Sequence, residues 1–242
     1  MTTAITADRP VAELALNVAG AAQTFQRLGL DFCCGGRRSL AAACEAQGLD
    51  LNQVLAALAE AQAAPENALP DGEWRTAPLA ALTTHIVTRH HQYVRGETPR
   101  INTWLDKVVA AHGARHPEVS AIRGHFQALS AELAAHMAKE ELILFPAIAQ
   151  LPEGGPAARG ICGHGLGAPI RQMMLEHDDA GRELDAMRAA SGNYAPPQDA
   201  CTTFRVLYTA LAAFEADLHQ HVHLENNILF PRTLEAEEQS HA

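Results

Sequence analysis

The sequence predicts an all-α protein with a small helical N-terminal domain and an antiparallel four-helix bundle. Alanine and leucine dominate its hydrophobic residues, and aromatic residues make up only 5% of the 242-residue chain, which favours helices over sheets. One phrase, His-x-x-x-Glu-x-x-Ile-Leu-Phe-Pro, occurs twice, starting at His136 and again at His221. Four long helical stretches are joined by modest loops, which is typical of a bundle.

Charge and composition exclude several classes of protein. The net charge of −10 argues against nucleic acid and anionic membranes as partners. No apolar run approaches the roughly 18–20 residues that a membrane span needs. The first residues lack the basic and apolar regions of a secretory signal. Five cysteines, an odd number without a disulfide pattern, suit a reducing cytoplasm. We therefore expect a cytoplasmic protein.

The first helices are predicted from apolar spacing and from residues that start or stop helices. Apolar residues recur near helical period over 11–28, and Gly29 follows as a stop. Ser39 is a good N-cap for a short helix that ends before Gly48.

Asp50 can cap a further helix over about 51–63. Residues 1–63 then form a small helical domain whose core is marginal for independent stability, which makes association as a homodimer plausible. The stretch 64–77 contains two prolines and a glycine and is predicted to be a linker.

Residues 78–242 are predicted to form the bundle. Pro99 is expected to kink or interrupt its first helix. Ser191-Gly192-Asn193 is expected to end the third. The four helical stretches are predicted at about 78–112, 117–149, 168–190 and 198–235.

The duplicated phrase predicts a metal site. Residues four apart on a helix lie on one face, so each copy offers an imidazole and a carboxylate together. A single His-x-x-x-Glu is usually a solvated pair, but two copies with the same apolar tail indicate a duplicated metal-binding hairpin. One histidine lies at a similar distance upstream of each copy. The predicted ligands are His91, His136, Glu140, His177, His221 and Glu225.

Four imidazoles and two carboxylates suit a dinuclear centre inside a bundle. With both glutamates bridging and an oxo or hydroxo bridge added, two octahedral ions would each keep about one open position. Ligands without thiolate suit iron better than a closed structural zinc site, while manganese fits the same ligand types. We therefore expect two non-haem iron ions with an oxo or hydroxo bridge.

These residues resemble a known family. Residues 79–235 are similar to a hemerythrin-like di-iron bundle, and both metal phrases match in full. With Asp31-Phe32-Cys33-Cys34-Gly35-Gly36, nearly the whole chain resembles the repair-of-iron-centres proteins. Further matches are Trp74, Glu176-His177-Asp178 and Cys201-Thr202-Thr203.

The resemblance implies a di-iron protein that repairs iron–sulfur clusters damaged by nitric oxide or oxidants, with the same six residues as iron ligands. The chain departs from oxygen-carrying hemerythrins, because Met173 and Gly181 lie where a second histidine would be needed on the third helix. Its last ligand pair is also spaced by four residues and ends in glutamate. These departures favour ligand chemistry or iron release over oxygen carriage.

Three functions are open at this point. The first is cluster repair by iron donation to iron–sulfur client proteins. The second is an enzyme, a nitric oxide reductase that uses the open iron positions. The third is a sensor or carrier that binds nitric oxide or oxygen as a small ligand.

Cys33 and Cys34 are the candidate reactive residues. Arg37, Arg38 and a helix start lie close by in sequence, and both features favour a thiolate. A tight turn with two partly buried cysteines explains the same residues equally well. Cys44, Cys162 and Cys201 are predicted to be structural. His219 and His223 are predicted to lie on the surface, and Glu141 and Glu176 are predicted to be solvated carboxylates.

Overall fold

The computed structural model describes residues 4–18, 20–32, 36–63, 74–151 and 165–241. Two compact units are found, one formed by Met1–Leu82 with His219–Ala242 and the other by Thr83–Leu218. No described helix combines the length and apolar character that a membrane span requires. The predictions for Cys33, Cys34, Cys162 and most of the linker concern residues outside these ranges.

The described chain is built from α-helices and π-helical segments, as the sequence predicts. The α-helices are α1 (Val11–Asn17), α2 (Ala21–Leu28), α3 (Leu40–Gln47), α4 (Leu51–Ala63), α5 (Leu79–His85), α6 (Gln92–His112), α7 (Glu118–Lys139), α8 (Phe145–Gln150), α9 (Gly167–Ala190), α10 (Thr202–Leu224) and α11 (Phe230–His241). The π-helical segments are π1 (Ile86–His91), π2 (Glu140–Leu144) and π3 (Glu225–Leu229). The boundaries between the two units fall inside α5 and α10.

In the first unit, the predicted single helix over 11–28 is wrong, because the chain breaks between α1 and α2. Val18 is extended, with a φ of −113°, and Gly20 has a φ of +72°. Glycine adopts this left-handed conformation without the steric cost that other residues incur, so the turn can form here. The two short helices then pack their apolar faces into one core with α3 and α4.

The helix caps of the first unit follow the prediction. The backbone N–H of Ala42 donates to Ser39 Oγ at 3.2 Å, so Ser39 caps α3. Gly48 ends that helix with a φ of +65°. Asp50 Oδ1 accepts from the backbone N–H of Asn52 at 2.8 Å at the start of α4.

In the second unit, the helix α7 packs against both α6 and α9. The part of α10 that belongs to this unit joins them through aromatic contacts. The Phe214 ring lies 5.2 Å from that of Phe126 on α7 and 6.3 Å from that of Tyr93 on α6. The predicted all-α class and the bundle of long helices are confirmed.

Pro99 lies inside α6, which continues past it to His112, so the expected interruption is wrong, while the alternative of a kink stays a prediction. A proline removes one backbone donor, which costs a helix roughly 3 kcal/mol in its interior. The buried side chains Ile101, Leu105 and Val108 follow it on the same helix. Their packing outweighs the local cost, because tertiary contacts supply most of a helix's stability.

Candidate metal centre

Three of the predicted ligands lie in π-helical segments. Glu140 begins π2 and Glu225 begins π3, while His91 ends π1. The N–H of Phe145 donates to the Glu140 carbonyl, and the N–H of Phe230 donates to that of Glu225, each five residues back. Such π segments are often found at functional sites.

The prolines of the repeated phrase explain two of these segments. Pro146 and Pro231 each follow the phenylalanine that closes a π turn. Proline has no N–H for an α-helical bond, and its ring clashes with the carbonyl four residues earlier. A wider turn accommodates that carbonyl, so each Phe-Pro pair favours a π segment that begins at the glutamate of the repeated phrase.

The second unit buries four of the predicted ligands, His91, His136, Glu140 and His177, with side chains at most 4% exposed. Glu140 lies between two imidazoles. Its Oε1 is 3.2 Å from His136 Nε2, and its Oε2 is 3.4 Å from His91 Nε2. The Nε2 atoms of His136 and His177 are 3.0 Å apart. The α6–π1, α7–π2 and α9 helices therefore bring these donors together.

Two further carboxylates orient these imidazoles from behind. Glu141 Oε1 is 2.6 Å from His91 Nδ1, and Glu176 Oε2 is 2.8 Å from His136 Nδ1. With its proton on Nδ1, each imidazole donates to the carboxylate and keeps Nε2 as an acceptor toward the interior. Carboxylates that hold histidine ligands in this way are typical of metal sites.

The environment of Glu176 keeps it ionised. Burial acts to raise the pKa of Glu176, but hydrogen bonds from Lys139, Gln172 and His136 outweigh it and lower that pKa to about 2. Burial likewise acts to raise the pKa of Glu141, and hydrogen bonds from His91 and Arg95 outweigh it, so this pKa is also lowered. The interpretation of both residues as merely solvated carboxylates is wrong.

A cavity of about 330 Å³ lies beside the histidines of α7 and α9. Its lining includes His136 and His177 together with the polar side chains Glu132, Lys139 and Glu176. The volume is large enough for several waters or a small ligand. Small molecules in this cavity can therefore reach two of the four predicted ligands of this unit, His136 and His177.

The first unit holds the other two predicted ligands, His221 and Glu225, as a buried pair. His221 Nε2 is 2.9 Å from Glu225 Oε1, and both residues are at most 1% exposed. The spacing of four residues gives the same imidazole–carboxylate contact as His136 and Glu140 do in the second unit.

His219 and His223 are buried, so their prediction as surface residues is wrong. The Phe32 ring lies 5.2 Å from the His223 ring and 6.3 Å from that of His219. Asn227 Nδ2 lies 2.9 Å from His223 Nδ1 and donates to the Phe32 carbonyl at 3.3 Å. No spacing in the sequence relates Phe32 to α10. The Phe32 ring covers the side of α10 that carries His219 and His223, which was predicted to face solvent.

His90, the neighbour of His91 in sequence, links its helix to α10 through Asp217. It is buried, and its Nδ1 lies 3.1 Å from Asp217 Oδ2 on α10. Arg89 approaches the other oxygen of Asp217 at 3.7 Å. His90 therefore helps to join the helix that carries His91 to α10.

The donor set fits iron. Buried imidazole nitrogens and carboxylate oxygens face one another at 3.0–3.4 Å, and these acceptors need a cation or protons between them. Nitrogen and oxygen donors without thiolate suit iron and manganese better than structural zinc. A buried cluster of this composition supports non-haem iron binding.

The chain is similar to known proteins over nearly its whole length. Residues 82–233 match the model of the hemerythrin HHE cation binding domain, and residues 7–62 match the ScdA_N model, described as a domain of unknown function. Relatives named iron-sulfur cluster repair protein YtfE cover nearly the whole chain. That of Citrobacter koseri is 37% identical over 95% of this chain and 98% of the relative. That of Edwardsiella ictaluri is 42% identical over 94% and 97%, and that of Escherichia coli O81 is 36% identical over 95% and 98%.

Proposed function

The chain belongs to the hemerythrin HHE cation-binding family and to the family of the iron–sulfur cluster repair protein YtfE, and we propose that it repairs clusters damaged by nitric oxide or oxidants. The proposed means is the supply of iron from a labile dinuclear site. The observation that carries the proposal is the buried Glu140, whose two oxygens face two different imidazoles. A carboxylate in this position is suited to lie between two metal ions.

The proposed iron ligands are the six residues of the repeated hairpins: His91, His136, Glu140, His177, His221 and Glu225. Each compact unit supplies one copy of the imidazole–carboxylate pair. The hemerythrin match supports treating them as one centre, because it spans residues 82–233 and so includes all six. Two iron ions with an oxo or hydroxo bridge complete the proposal and would supply Lewis acidity and one-electron chemistry when bound.

The residues around these ligands have separate tasks. Glu141 and Glu176 accept the Nδ1 protons of His91 and His136 and keep both Nε2 atoms directed inward. Lys139 pairs with Glu176 and holds that carboxylate in place. The ligands include no thiolate, and the cavity beside His136 and His177 reaches the cluster. Both features favour an exchangeable iron over a permanently enclosed one.

The test is an iron-transfer experiment. The iron-loaded protein is mixed with a dehydratase whose [4Fe–4S] cluster has been damaged by nitric oxide, and client activity and iron content of both proteins are followed. We expect the client to regain activity as this protein loses iron. A double variant, Glu140→Ala with Glu225→Ala, should neither hold nor donate iron, whereas Glu183→Gln should behave like the wild type. Full retention of iron in the presence of the damaged client would overturn the proposal.

A second candidate function is favoured by the cavity. A volume of about 330 Å³ beside His136 and His177 admits nitric oxide or oxygen, as a reductase or a sensor requires. Catalytic formation of nitrous oxide with an electron donor would indicate a reductase. Reversible binding without loss of iron would indicate a sensor.

The partners and location follow from the same proposal. Iron–sulfur proteins are the proposed clients, in the cytoplasm, where such clusters are assembled and damaged. The expected homodimer stays a prediction, and sedimentation of the full chain tests it.

A further inference from the structure

Cys201 and His112 contact each other at the start of α10, and neither residue is among the proposed metal ligands. Cys201 is exposed and comes directly before that helix, and its carbonyl accepts the Arg205 N–H at 3.1 Å. His112, the last residue of α6, places Nε2 at 3.2 Å from Cys201 Sγ. Both residues belong to the unit Thr83–Leu218.

The imidazole of His112 is fixed and directed at the thiol. The residue is only 7% exposed, and its ring lies 5.3 Å from that of Phe204. Within the part of the chain that the structure describes, His112 Nδ1 has no hydrogen-bond partner. The ring nitrogen of His112 that has a hydrogen-bond partner is Nε2, and that partner is the Cys201 thiol. A histidine within hydrogen-bond reach of a cysteine can take the thiol proton and activate the sulfur as a nucleophile.

Cys201 stands at a position that is typical of reactive cysteines. It lies at the N-terminus of a 23-residue helix, whose dipole stabilises anions there. The Arg205 guanidinium donates to the carbonyls of Ala200 and Gln198, which come one and three positions before Cys201. Helix N-termini, cationic neighbours and histidines are the features that make a cysteine reactive.

The carboxylate nearest in sequence is already engaged. Asp199 Oδ1 is 3.0 Å from His116 Nε2, and its Oδ2 is 3.3 Å from Arg115. Burial is the largest single effect and acts to raise the pKa of Asp199, but the hydrogen bond to His116 and the charges of His116 and Arg115 together outweigh it and lower that pKa. Its negative charge is therefore balanced locally by residues other than Cys201 and His112.

Cys44 shows the contrasting environment. It is buried in the core of the first unit, where burial raises the pKa of its thiol and the charge of Asp50 adds to that effect. Cys44 is therefore an internal reference for an unreactive cysteine.

We propose that Cys201 is a thiol modification site that forms mixed disulfides with low-molecular-weight disulfides. The Cys201 thiol proton passes to His112 Nε2, and the thiolate sulfur attacks one sulfur of the small disulfide. The bond from Cys201 Sγ forms as the original S–S bond breaks, and the other half leaves as a thiolate with the bonding electron pair. That leaving thiolate then takes the proton from His112, so the exchange needs no other oxidant.

The first experiment uses the full wild-type chain and oxidised glutathione as the probe. Samples are quenched over time, and the mixed disulfide on each cysteine peptide is quantified by mass spectrometry. We expect the folded protein to modify Cys201 on the order of tenfold faster than the same cysteine in the urea-unfolded chain. A thiol that is merely accessible would react no faster when folded, and that result would overturn the proposal. Cys44 should show the opposite order, because folding buries it.

The second experiment tests the role of His112. His112→Phe keeps an aromatic ring against Phe204, and His112→Gln keeps a polar side chain. Both should slow the modification of Cys201 on the order of tenfold, with the rates at other cysteines unchanged. His125→Gln, which alters an outlying pair with Glu183, is the matched control and should leave every rate unchanged. Equal Cys201 rates in the wild type and in both His112 variants would also overturn the proposal.

Metal content separates this site from the proposed function. The Cys201 rates are measured with iron-loaded and with chelated protein, and we expect the same values in both. Loss of repair activity would leave this result unchanged, whereas a rate that disappears on chelation would contradict an independent thiol site.

Discussion

Glu140 is the residue whose surroundings most constrain the chemistry of the centre. It is fully buried, and its two oxygens face imidazoles that come from different helices. A buried carboxylate is costly unless cations or hydrogen bonds compensate it. Its role in the protein is therefore better explained by metal binding than by the stability of the fold.

Glu140→Gln tests this role while preserving the shape of the side chain. The amide removes the negative charge and one oxygen donor, so we expect iron affinity to fall at least about 100-fold. Competition with a chromogenic chelator measures that affinity. Glu183→Gln is the control on α9, where the carboxylate pairs with the partly exposed His125. Unchanged affinity in Glu140→Gln would remove Glu140 from the ligand set.

Glu176 should act through His136. Glu176→Gln weakens the acceptor that holds the His136 Nδ1 proton, and we expect iron affinity to fall about 10–100-fold with the helical content unchanged. The same chelator competition measures it, and circular dichroism reports the fold. Asp179→Asn, three residues further along α9 and lining the same cavity, should have little effect. Equal losses in the two variants would indicate a general effect of the cavity's charge.

The repeated phrase, with one histidine upstream of each copy, predicts six ligands, but it does not predict the side chains that contact them. Glu176 and His136 lie on α9 and α7, and no spacing along one helix relates them. Phe32 and His223 are further apart in sequence and meet through a ring contact. Only tertiary packing brings such pairs together, so the periodicity of the sequence cannot predict them.

At the level of helices, the ends were predictable wherever a single residue type determines them. Ser39, Gly48 and Asp50 cap α3 and α4 as expected. Gly20 also breaks a helix, but the apolar pattern continues on both sides of it and predicts one helix over 11–28. The π segments were not predicted either, because their cause is a conflict between Pro146 or Pro231 and a carbonyl in the preceding turn.

Two glycines should respond in opposite ways to alanine. Gly48 has a φ of +65°, so Gly48→Ala should destabilise the protein by about 1 kcal/mol through backbone strain alone, since a Cβ there meets nothing within 4 Å. Gly124 lies inside α7 with equally open surroundings, and Gly124→Ala should stabilise by about 0.5–1 kcal/mol. Urea unfolding followed by circular dichroism measures both. A change of the same sign in both variants would contradict the account of Gly48 as a left-handed helix end.

At the scale of the whole molecule, the bound metal should contribute to stability. A ligand that binds only the folded state stabilises it by about 2.7 kcal/mol at a free concentration of about 100 times its Kd. We expect chelation to lower the Tm of the wild type, and iron to restore it. The double variant Glu140→Ala with Glu225→Ala should show no response to either treatment. If chelation leaves the wild-type Tm unchanged, the bound metal does not contribute to the stability of the folded state.

The all-α class follows from composition and helical period, and it is confirmed. The grouping of the helices does not follow the order of the sequence, because His219–Ala242 belongs to the same compact unit as Met1–Leu82. Arg232 contributes to this grouping by donating to the carbonyls of Trp74 and Ala77, each at 2.6 Å. These partners are remote in sequence, so no local pattern predicts them.

The contact of Phe32 with His219 and His223 changes how deletion experiments on this protein should be interpreted. A truncation that removes residues 1–63 eliminates Cys33 and Cys34, and it also uncovers the imidazoles on either side of His221. A loss of repair activity in such a truncated chain would therefore not identify the cysteines as its cause. Point variants at Cys33 and Cys34, made with Phe32 intact, separate thiol chemistry from the shielding of a ligand helix.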